Sequence, residues 1–247
     1  MPIHDWSRVS AGTFHVLHNS WITHLMEALN DDLLPENYYA IAEQRARQIH
    51  ADVLTLTSGE SPPRSGASSG ALAVAETPPR TALHEVEQEA GNPRSTRRTL
   101  TIRHASNRQI AALLEIVSLA NKDRAQNVEN FVDKSVSALA QGIHCVVLDL
   151  HPPGPHDPAG MHGAIWEELT GKTYSPPAGK PLIAASYVAG AIPETYADPL
   201  AAGDVLPATP LFLESELYVP LPLEATYNQA FRGMARIWRD ALRDNNS

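Results

Sequence analysis

Apolar side chains recur at helical spacing near the start of the chain. The repeating positions fall three or four residues apart and place one apolar stripe on one side of a helix; they are Phe14, Leu17, Trp21, Leu25 and Leu29. This pattern predicts an amphipathic helix over residues 12–31 that packs its stripe against a core.

Short runs rich in β-branched, aromatic and other apolar residues follow this helix and predict a series of strands. They cover residues 37–44, 50–56, 99–104 and 110–118. The Ser106-Asn107 pair between the last two runs is typical of a tight turn.

A second helix and a buried strand come next. Residues 125–141 carry an apolar helical face, and Gly142 follows where a C-terminal helix cap is expected. The almost continuously apolar run 143–150 is typical of a strand buried on both faces of a sheet. Further along, the pattern predicts strands at 182–188 and 216–223 and an amphipathic helix from about 224 to 243.

The order of these elements predicts the architecture. A helix, three or four strands, a helix and a strand are typical of an α/β fold in which a mixed β-sheet is flanked by helices. We expect one domain over 1–247, with 182–247 as a C-terminal extension packed on the core. Residues 58–96 are rich in Ser, Gly, Pro and Ala, so we expect them to form a flexible insertion.

Composition and charge narrow the choice of compartment and partner. The single cysteine excludes an internal disulfide, and the chain contains neither a signal-peptide pattern nor an apolar run of membrane-spanning length. We therefore expect a cytoplasmic protein. The formal charge of -9 disfavours non-specific binding to nucleic acid, although phosphodiesterases that use metal ions also carry acidic sites.

Two carboxylates interrupt apolar strands, and they are the leading candidates for chemistry. Asp52 lies in the run HADVLTL and Glu115 in LLEIVS. A buried carboxylate is costly unless it is paired, protonated or bound to a metal. Glu115 could lie at a strand end or in an ordinary ion pair; alternatively, Asp52 and Glu115, supported by Glu43, could share a Mg²⁺ ion. Such an ion would polarise a phosphoryl oxygen and activate water.

Other polar positions suggest weaker sites. His15, His18 and His24 lie near one another on the first helix, although no cysteine or carboxylate completes a metal site there. The histidines and Asp157 in the loop after strand 143–150 could form the rim of a site, and Asp149, which ends that strand, could cap the loop or join a carboxylate cluster. Cys145 lies between apolar neighbours and is expected in the core.

Several segments resemble a large family of uncharacterised bacterial proteins, the domain of unknown function 4058 family. The similar segments, in chain order, are PENYYAIAEQ, ADVLTL, LLEIVSLANK, GIHCVVLDL and LYVPLPLEATYNQAF. That family more distantly resembles the PD-(D/E)xK nuclease-like superfamily, which implies a restriction-endonuclease-like core with the order helix, three strands, helix, strand.

The superfamily resemblance implies roles for individual residues. The aspartate of its motif falls on Asp52, which follows Ala51 rather than proline, and the acidic residue of its ExK falls on Glu115. Val117 occupies the position of the motif lysine. In some branches the lysine comes from the following helix, which makes Lys134 the natural substitute, with Lys122 as the other candidate. A lysine there would stabilise negative charge on the transferring phosphoryl group.

Two functional classes follow from the sequence. The first is a Mg²⁺-dependent phosphodiesterase that acts on nucleic acid through Asp52 and Glu115 with Lys134 or Lys122. The second is a catalytically inactive protein of the same fold that serves as a binding or assembly module. The acidic charge and the missing in-strand lysine favour the second class, whereas the two carboxylates in apolar strands favour the first.

Overall fold

The computed structural model describes residues 2–44, 98–192 and 194–243. It is an α/β structure with a mixed six-stranded sheet flanked by helices. The predicted strand 50–56 and the predicted insertion 58–96 lie outside the described residues.

Sixteen elements follow one another along the described chain. The first part contains a 3₁₀ turn (Trp6–Arg8), α1 (Ala11–Ala28), a π turn (Leu29–Leu33), β1 (Tyr38–Gln44), β2 (Arg98–His104), β3 (Ile110–Ile116), α2 (Leu119–Lys122), α3 (Ala125–Ala140) and β4 (His144–Asp149). The second part contains α4 (Gly160–Thr170), β5 (Leu182–Val188), β6 (Glu194–Leu200), β7 (Pro210–Glu214), β8 (Leu217–Pro220), α5 (Leu223–Arg232) and α6 (Arg236–Arg243).

The strands of the main sheet lie in the order β1-β2-β3-β4-β5-β6. Four of the neighbouring pairs are antiparallel, and β3 and β4 are parallel. A parallel pair needs a crossover connection, and here α3 supplies it. The prediction that strand 143–150 returns beside an earlier strand is confirmed.

Strand β4 lies inside the sheet and is buried along its whole length, as its continuous apolar run predicts. Leu114, Val146 and Leu148 point to one side, into a core shared with α1, α5 and the separate β7–β8 hairpin. Leu113 and Val147 point to the other side, into a core shared with α3 and α4. The sheet thus separates two layers of apolar packing.

The helix predictions are confirmed for α1 and α3. The backbone N–H of Gly142 donates to the carbonyl oxygen of Leu139 (3.0 Å), and that of Ile143 donates to Ala138 (3.0 Å). Gly142 has a φ of +79°, a conformation that glycine adopts without the strain that a Cβ would bring. The predicted cap therefore ends α3 and directs the chain into β4.

The prediction of one C-terminal helix over 224–243 is wrong, because two helices, α5 and α6, occupy this region and the chain between them turns at Gly233. Four of the numbered elements were also missed: α2, α4, β6 and β7. Strand β6 includes Pro199, which is tolerated because β6 lies at the edge of the sheet. No helix among the described residues has the length and apolar character needed to span a membrane.

Candidate functional site

Glu115 lies in β3, on the face of the sheet covered by α3. Its side chain is 13% exposed, and it forms an ion pair with Lys134 of α3. The apolar residues on either side of it, Leu114 and Ile116, point into the opposite core. Residues of a strand alternate between its two faces, so the unusual carboxylate lies beside α3 while its strand stays apolar where it faces α1.

Lys134 reaches the sheet instead of pointing to water. Its Nζ donates to the Glu115 carboxylate and to Thr99 Oγ1 (3.0 Å). Lys134 of α3, one of the two lysines named from the sequence, therefore lies beside Glu115. The contact is also the ordinary ion pair that we considered as an alternative for Glu115.

A second carboxylate lies on the same face of the sheet. Glu43 of β1 pairs in register with Thr99 of β2, and the register Leu100↔Leu114, extended by one residue, brings Thr99 opposite Glu115. Glu43 accepts hydrogen bonds from Arg103 Nε (3.0 Å) and Nη2 (2.7 Å). We call Glu43, Thr99, Arg103, Glu115 and Lys134 the sheet-face cluster.

The sheet-face cluster by itself does not complete a magnesium site. Among residues 2–44, 98–192 and 194–243, no three His, Cys, Asp or Glu side chains form a group that could hold a metal ion. The positions beside Glu115 in the sheet are Thr99 and Val147. Asp52 lies outside the described residues, so its pairing with Glu115 stays a prediction.

Lys122, the other candidate lysine, lies in a separate cluster. Its Nζ donates to Asp149 Oδ2 (2.8 Å) and to the carbonyl oxygen of His151 (2.9 Å), and it pairs with Asp157 Oδ2 (2.8 Å). The three charged side chains are at most 5% exposed. We call Lys122, Asp149 and Asp157 the buried triad. Among the described residues, the polar partners of Lys122 are Asp149, Asp157 and the carbonyl oxygen of His151, and Glu115 is not among them.

Backbone amides complete the buried triad. His151 N–H donates to Asp149 Oδ1 (3.2 Å), and Met161 N–H, at the start of α4, donates to Asp149 Oδ2 (3.3 Å). Gly154 N–H donates to Asp157 Oδ1 (2.8 Å). Burial raises the pKa of Asp149, although the ammonium group of Lys122 opposes this shift. The triad therefore fastens the loop after β4 and the start of α4 to the end of the strand.

His151 is the least satisfied polar side chain near the triad. It is fully buried, neither ring nitrogen has a hydrogen-bond partner among the described residues, and its ring meets Phe14 edge to face at 4.4 Å. Burial, together with the charge of Lys122, lowers its pKa to about 4. The predicted site rim around His151 and Asp157 is thus an interior feature.

The histidines of α1 have local partners. His18 is buried and its Nε2 lies 3.1 Å from the carbonyl oxygen of Ile116, while His24 Nδ1 lies 3.0 Å from Glu27 Oε2. Burial lowers the pKa of His18, and the Glu115 carboxylate opposes this effect. His15 stacks against His18 with ring centroids 6.2 Å apart. These contacts agree with a packing role for the three histidines.

Cys145 is buried in the core beside α3. Burial raises the pKa of its thiol to about 12. The thiolate is the nucleophilic form of cysteine, so a thiol that stays protonated is a poor nucleophile. Cys145 is therefore a core residue, as the sequence predicts.

The triad was missed as a unit because its members are far apart in the sequence. Asp149 at the end of an apolar strand and Asp157 in the following loop were both noticed, but nothing in their spacing pointed to Lys122. Comparison with known proteins adds no further assignment: no model of a known protein family matches the chain, and neither do any curated protein or solved structure.

Proposed function

We propose that this chain has a restriction-endonuclease-like core and acts as a Mg²⁺-dependent phosphodiesterase on nucleic acid, with Glu115 and Lys134 in its active site. The observation that carries the proposal is the contact between these two side chains. Among the described elements, the acidic residue comes from the third strand, β3, and the lysine comes from α3, which follows the one-turn helix α2.

The order of elements supports the resemblance to the PD-(D/E)xK nuclease-like superfamily and, through it, to the domain of unknown function 4058 family. Helix α1, strands β1 to β3, helix α3 and strand β4 follow one another in the order that the resemblance implies. Fold similarity alone does not establish an activity, so the proposal depends on Glu115 and Lys134.

The proposed roles follow from charge and position. Lys134 supplies a cation that can stabilise negative charge on a phosphoryl group, and Glu115 supplies oxygen ligands of the type that Mg²⁺ prefers. Glu43 lies in the same row of the sheet and could support the ion, and Asp52 is proposed as the further ligand. A substrate and an ion would have to compete with the Lys134–Glu115 and Arg103–Glu43 pairs.

Those two ion pairs also favour a second candidate function. Both described carboxylates of the cluster are already neutralised by a neighbouring cation. A catalytically inactive nuclease-like protein that serves as a binding or assembly module would keep such pairs for stability. This alternative predicts nucleic-acid or protein binding without cleavage.

The experiment is a cleavage assay on single-stranded and double-stranded DNA and RNA with Mg²⁺ or Mn²⁺. We expect metal-dependent cleavage that falls at least about 100-fold in Glu115→Gln and in Asp52→Asn, as for loss of a residue that acts in the transition state. Lys134→Met tests the charge-stabilising role, and Glu129→Gln, on the exposed side of α3, is the matched control. Absence of cleavage, or cleavage that survives both carboxylate substitutions, would contradict the proposal.

A further inference from the structure

Strand β6 lies at the edge of the main sheet, and its outer side is open. Among the residues that the structure describes, β6 pairs only with β5, in antiparallel register from Leu182↔Leu200 to Val188↔Glu194. Most of its side chains are exposed. An edge strand of this kind presents unpaired backbone N–H and C=O groups that can form hydrogen bonds with another chain.

The register shows which backbone groups of β6 point outward. Thr195 Oγ1 donates to the carbonyl oxygen of Ser186 (3.0 Å), so this carbonyl group points toward β6. The register partner of Ser186 is Tyr196, which therefore directs its own backbone groups toward β5. Backbone groups alternate in direction along a strand, so those of Thr195 and Ala197 point outward. Pro199 belongs to the same outward series, which is where an edge strand tolerates a residue without an N–H.

A row of aromatic rings lies beside this edge. The ring of Tyr196 meets that of Phe212 in β7 with centroids 5.3 Å apart, and Phe212 meets Tyr218 in β8 with centroids 5.4 Å apart. Tyr196 is 46% exposed and Tyr218 is 56% exposed, whereas Phe212 is buried. We call Tyr196, Phe212 and Tyr218 the aromatic row. It offers aromatic surface to a group that approaches along β6.

The segment that forms this surface is acidic. Between Lys180 and Arg232 the sequence contains six Asp and Glu residues and no Lys, Arg or His. Four of these carboxylates are exposed, namely Glu194, Asp198, Glu214 and Glu216. Asp198 shares one face of β6 with Tyr196, and the Tyr196 hydroxyl donates to Glu194 Oε1 (2.5 Å). A partner that complements this surface therefore carries positive charge.

Arginine has the chemistry that both features select. Its guanidinium group stacks on aromatic rings and pairs with carboxylates, whereas the ammonium group of lysine is more strongly hydrated. Side chains that lie directly opposite each other in an antiparallel pair share one face of the sheet. A peptide with arginine at every second position would thus place guanidinium groups against Tyr196 and Asp198. The residues between the arginines would form backbone hydrogen bonds with Thr195 and Ala197.

We propose that β6 binds an extended, arginine-containing segment of another protein as an added antiparallel strand. The open edge supplies the backbone hydrogen bonds, and Tyr196 and Asp198 select arginine at alternate positions. In recognition by strand addition, the backbone contributes affinity and alternate side chains contribute specificity. The intervening residues of the partner lie on the same face as the small side chains of Thr195 and Ala197, where valine suits the strand conformation.

The test is an NMR titration of the ¹⁵N-labelled full chain with the acetylated and amidated peptide Arg-Val-Arg-Val-Arg. The amide signals of Thr195 and Ala197 should shift, and their exchange with solvent should slow, because these N–H groups gain partners. Replacing each arginine by citrulline, its neutral analogue, should weaken binding at least about tenfold, and lysine at the same positions should bind less tightly than arginine. Methylating the backbone nitrogens of both valines should abolish binding, since it removes the N–H groups that face β6.

Variants of β6 separate the backbone from the side-chain contribution. Ala197→Pro removes an outward N–H and should abolish binding, whereas Ala197→Val keeps the N–H and should bind like the wild type. Tyr196→Ala and Asp198→Asn should each weaken binding about two- to fivefold. The matched controls Trp238→Ala, at a residue that is 41% exposed, and Glu129→Gln, at an exposed position of α3, should leave the affinity unchanged. Unchanged signals outside β6 to β8 would show that the variants fold.

Three outcomes would overturn the proposal. The peptide could fail to bind at concentrations up to about 2 mM, including the case in which β6 pairs instead with β6 of a second copy of this chain. The citrulline peptide or the methylated peptide could bind as tightly as the original one. Finally, binding could persist in Ala197→Pro with shifted signals elsewhere, which would locate it on another surface. None of these results depends on phosphodiesterase activity.

Discussion

The buried triad is the most consequential group of charges at the residue scale. Lys122 is the cation shared by two carboxylates that are at most 2% exposed. Removing one partner of a buried ion pair leaves an uncompensated charge, which typically costs about 3–5 kcal/mol.

We therefore expect Lys122→Met to lower the free energy of unfolding by about 3–5 kcal/mol, measured by urea denaturation at neutral pH. The control Lys172→Met removes an exposed lysine and should change stability by less than about 0.5 kcal/mol. Adding Asp157→Asn to Lys122→Met should recover part of the loss. A Lys122→Met chain as stable as the wild type would show that the triad is not maintained in solution.

Buried histidines predict a loss of stability in mild acid. Burial lowers the pKa of His4, His151 and His162 from the usual 6.5 to about 4. Between these two values the unfolded chain binds protons that the folded chain does not. The stabilising contribution is therefore complete above pH 6.5 and is lost as the pH falls toward 4.

His151→Phe tests this effect at one position. Phenylalanine keeps the aromatic contact with Phe14 and removes the ring nitrogens that lack partners. The free energy of unfolding should then depend less on pH between 6.5 and 4, by up to about 1.4 kcal/mol per pH unit. His156→Gln, at an exposed position in the same loop, should leave the slope unchanged. If His151→Phe leaves the pH dependence of the free energy of unfolding unchanged, the lowered pKa of His151 is contradicted.

At the scale of elements, the turn between α3 and β4 sets the path of the crossover. Gly142 has a φ of +79° and no neighbouring atom within 4 Å of the position a Cβ would take. Gly142→Ala should therefore destabilise the fold through backbone strain alone, by about 1–2 kcal/mol. Gly12→Ala, in the first turn of α1, places the same methyl group in a helical conformation and should stabilise by up to about 1 kcal/mol. Thermal denaturation measures the stability of both variants. A change in stability of the same sign and size in the two variants would contradict the role of backbone strain at Gly142.

Periodic segments were predicted well, and segments shaped by their neighbours were not. Helix α3 and strand β4 follow their apolar patterns almost to the residue. Strand β6, in contrast, is mostly exposed and contains Pro199, so no alternating pattern marks it. Helix α4 follows a loop rich in proline and glycine, and the buried triad that fastens its start joins residues far apart in the sequence.

The candidate site was predicted only in part, because the pattern along the sequence marks single residues but not their contacts with distant ones. The carboxylate of Glu115 stood out against apolar neighbours, and Lys134, one of the two lysines named from the sequence, forms an ion pair with it. The Arg103–Glu43 pair depends on the register between β1 and β2, which side-chain patterns alone do not specify.

At the scale of the whole molecule, the C-terminal region is part of the main fold. Strands β5 and β6 extend the sheet, and α5 buries Leu223, Tyr227, Ala230 and Phe231 in the core that contains α1. The N-terminal segment joins this packing, because the ring of His4 stacks on Phe231 with centroids 3.9 Å apart. These C-terminal residues therefore supply a large part of the core that contains α1.

Truncation separates the contributions of the last two helices. A chain that ends after residue 222 lacks α5 and should lose its cooperative unfolding transition, since the apolar stripe of α1 would be left in water. A chain that ends after residue 235 lacks only α6, whose one buried side chain is Leu242, and should keep a cooperative transition at a lower midpoint. Circular dichroism during heating distinguishes the two outcomes. A cooperative transition in the shorter chain would show that α1 finds its core without α5.

The packing of α5 on α1 also has a consequence for synthesis. Trp21 Nε1 donates to Thr226 Oγ1 (3.0 Å), so two segments that lie 205 residues apart in the chain share one buried hydrogen bond. Strands β1 to β4 can emerge and pair before α5 has been made, so one side of the sheet is not yet fully covered. Until then the nascent chain exposes Phe14, Leu17 and Trp21 to solvent or to a chaperone. Helix α1 is therefore made long before the helix that covers it.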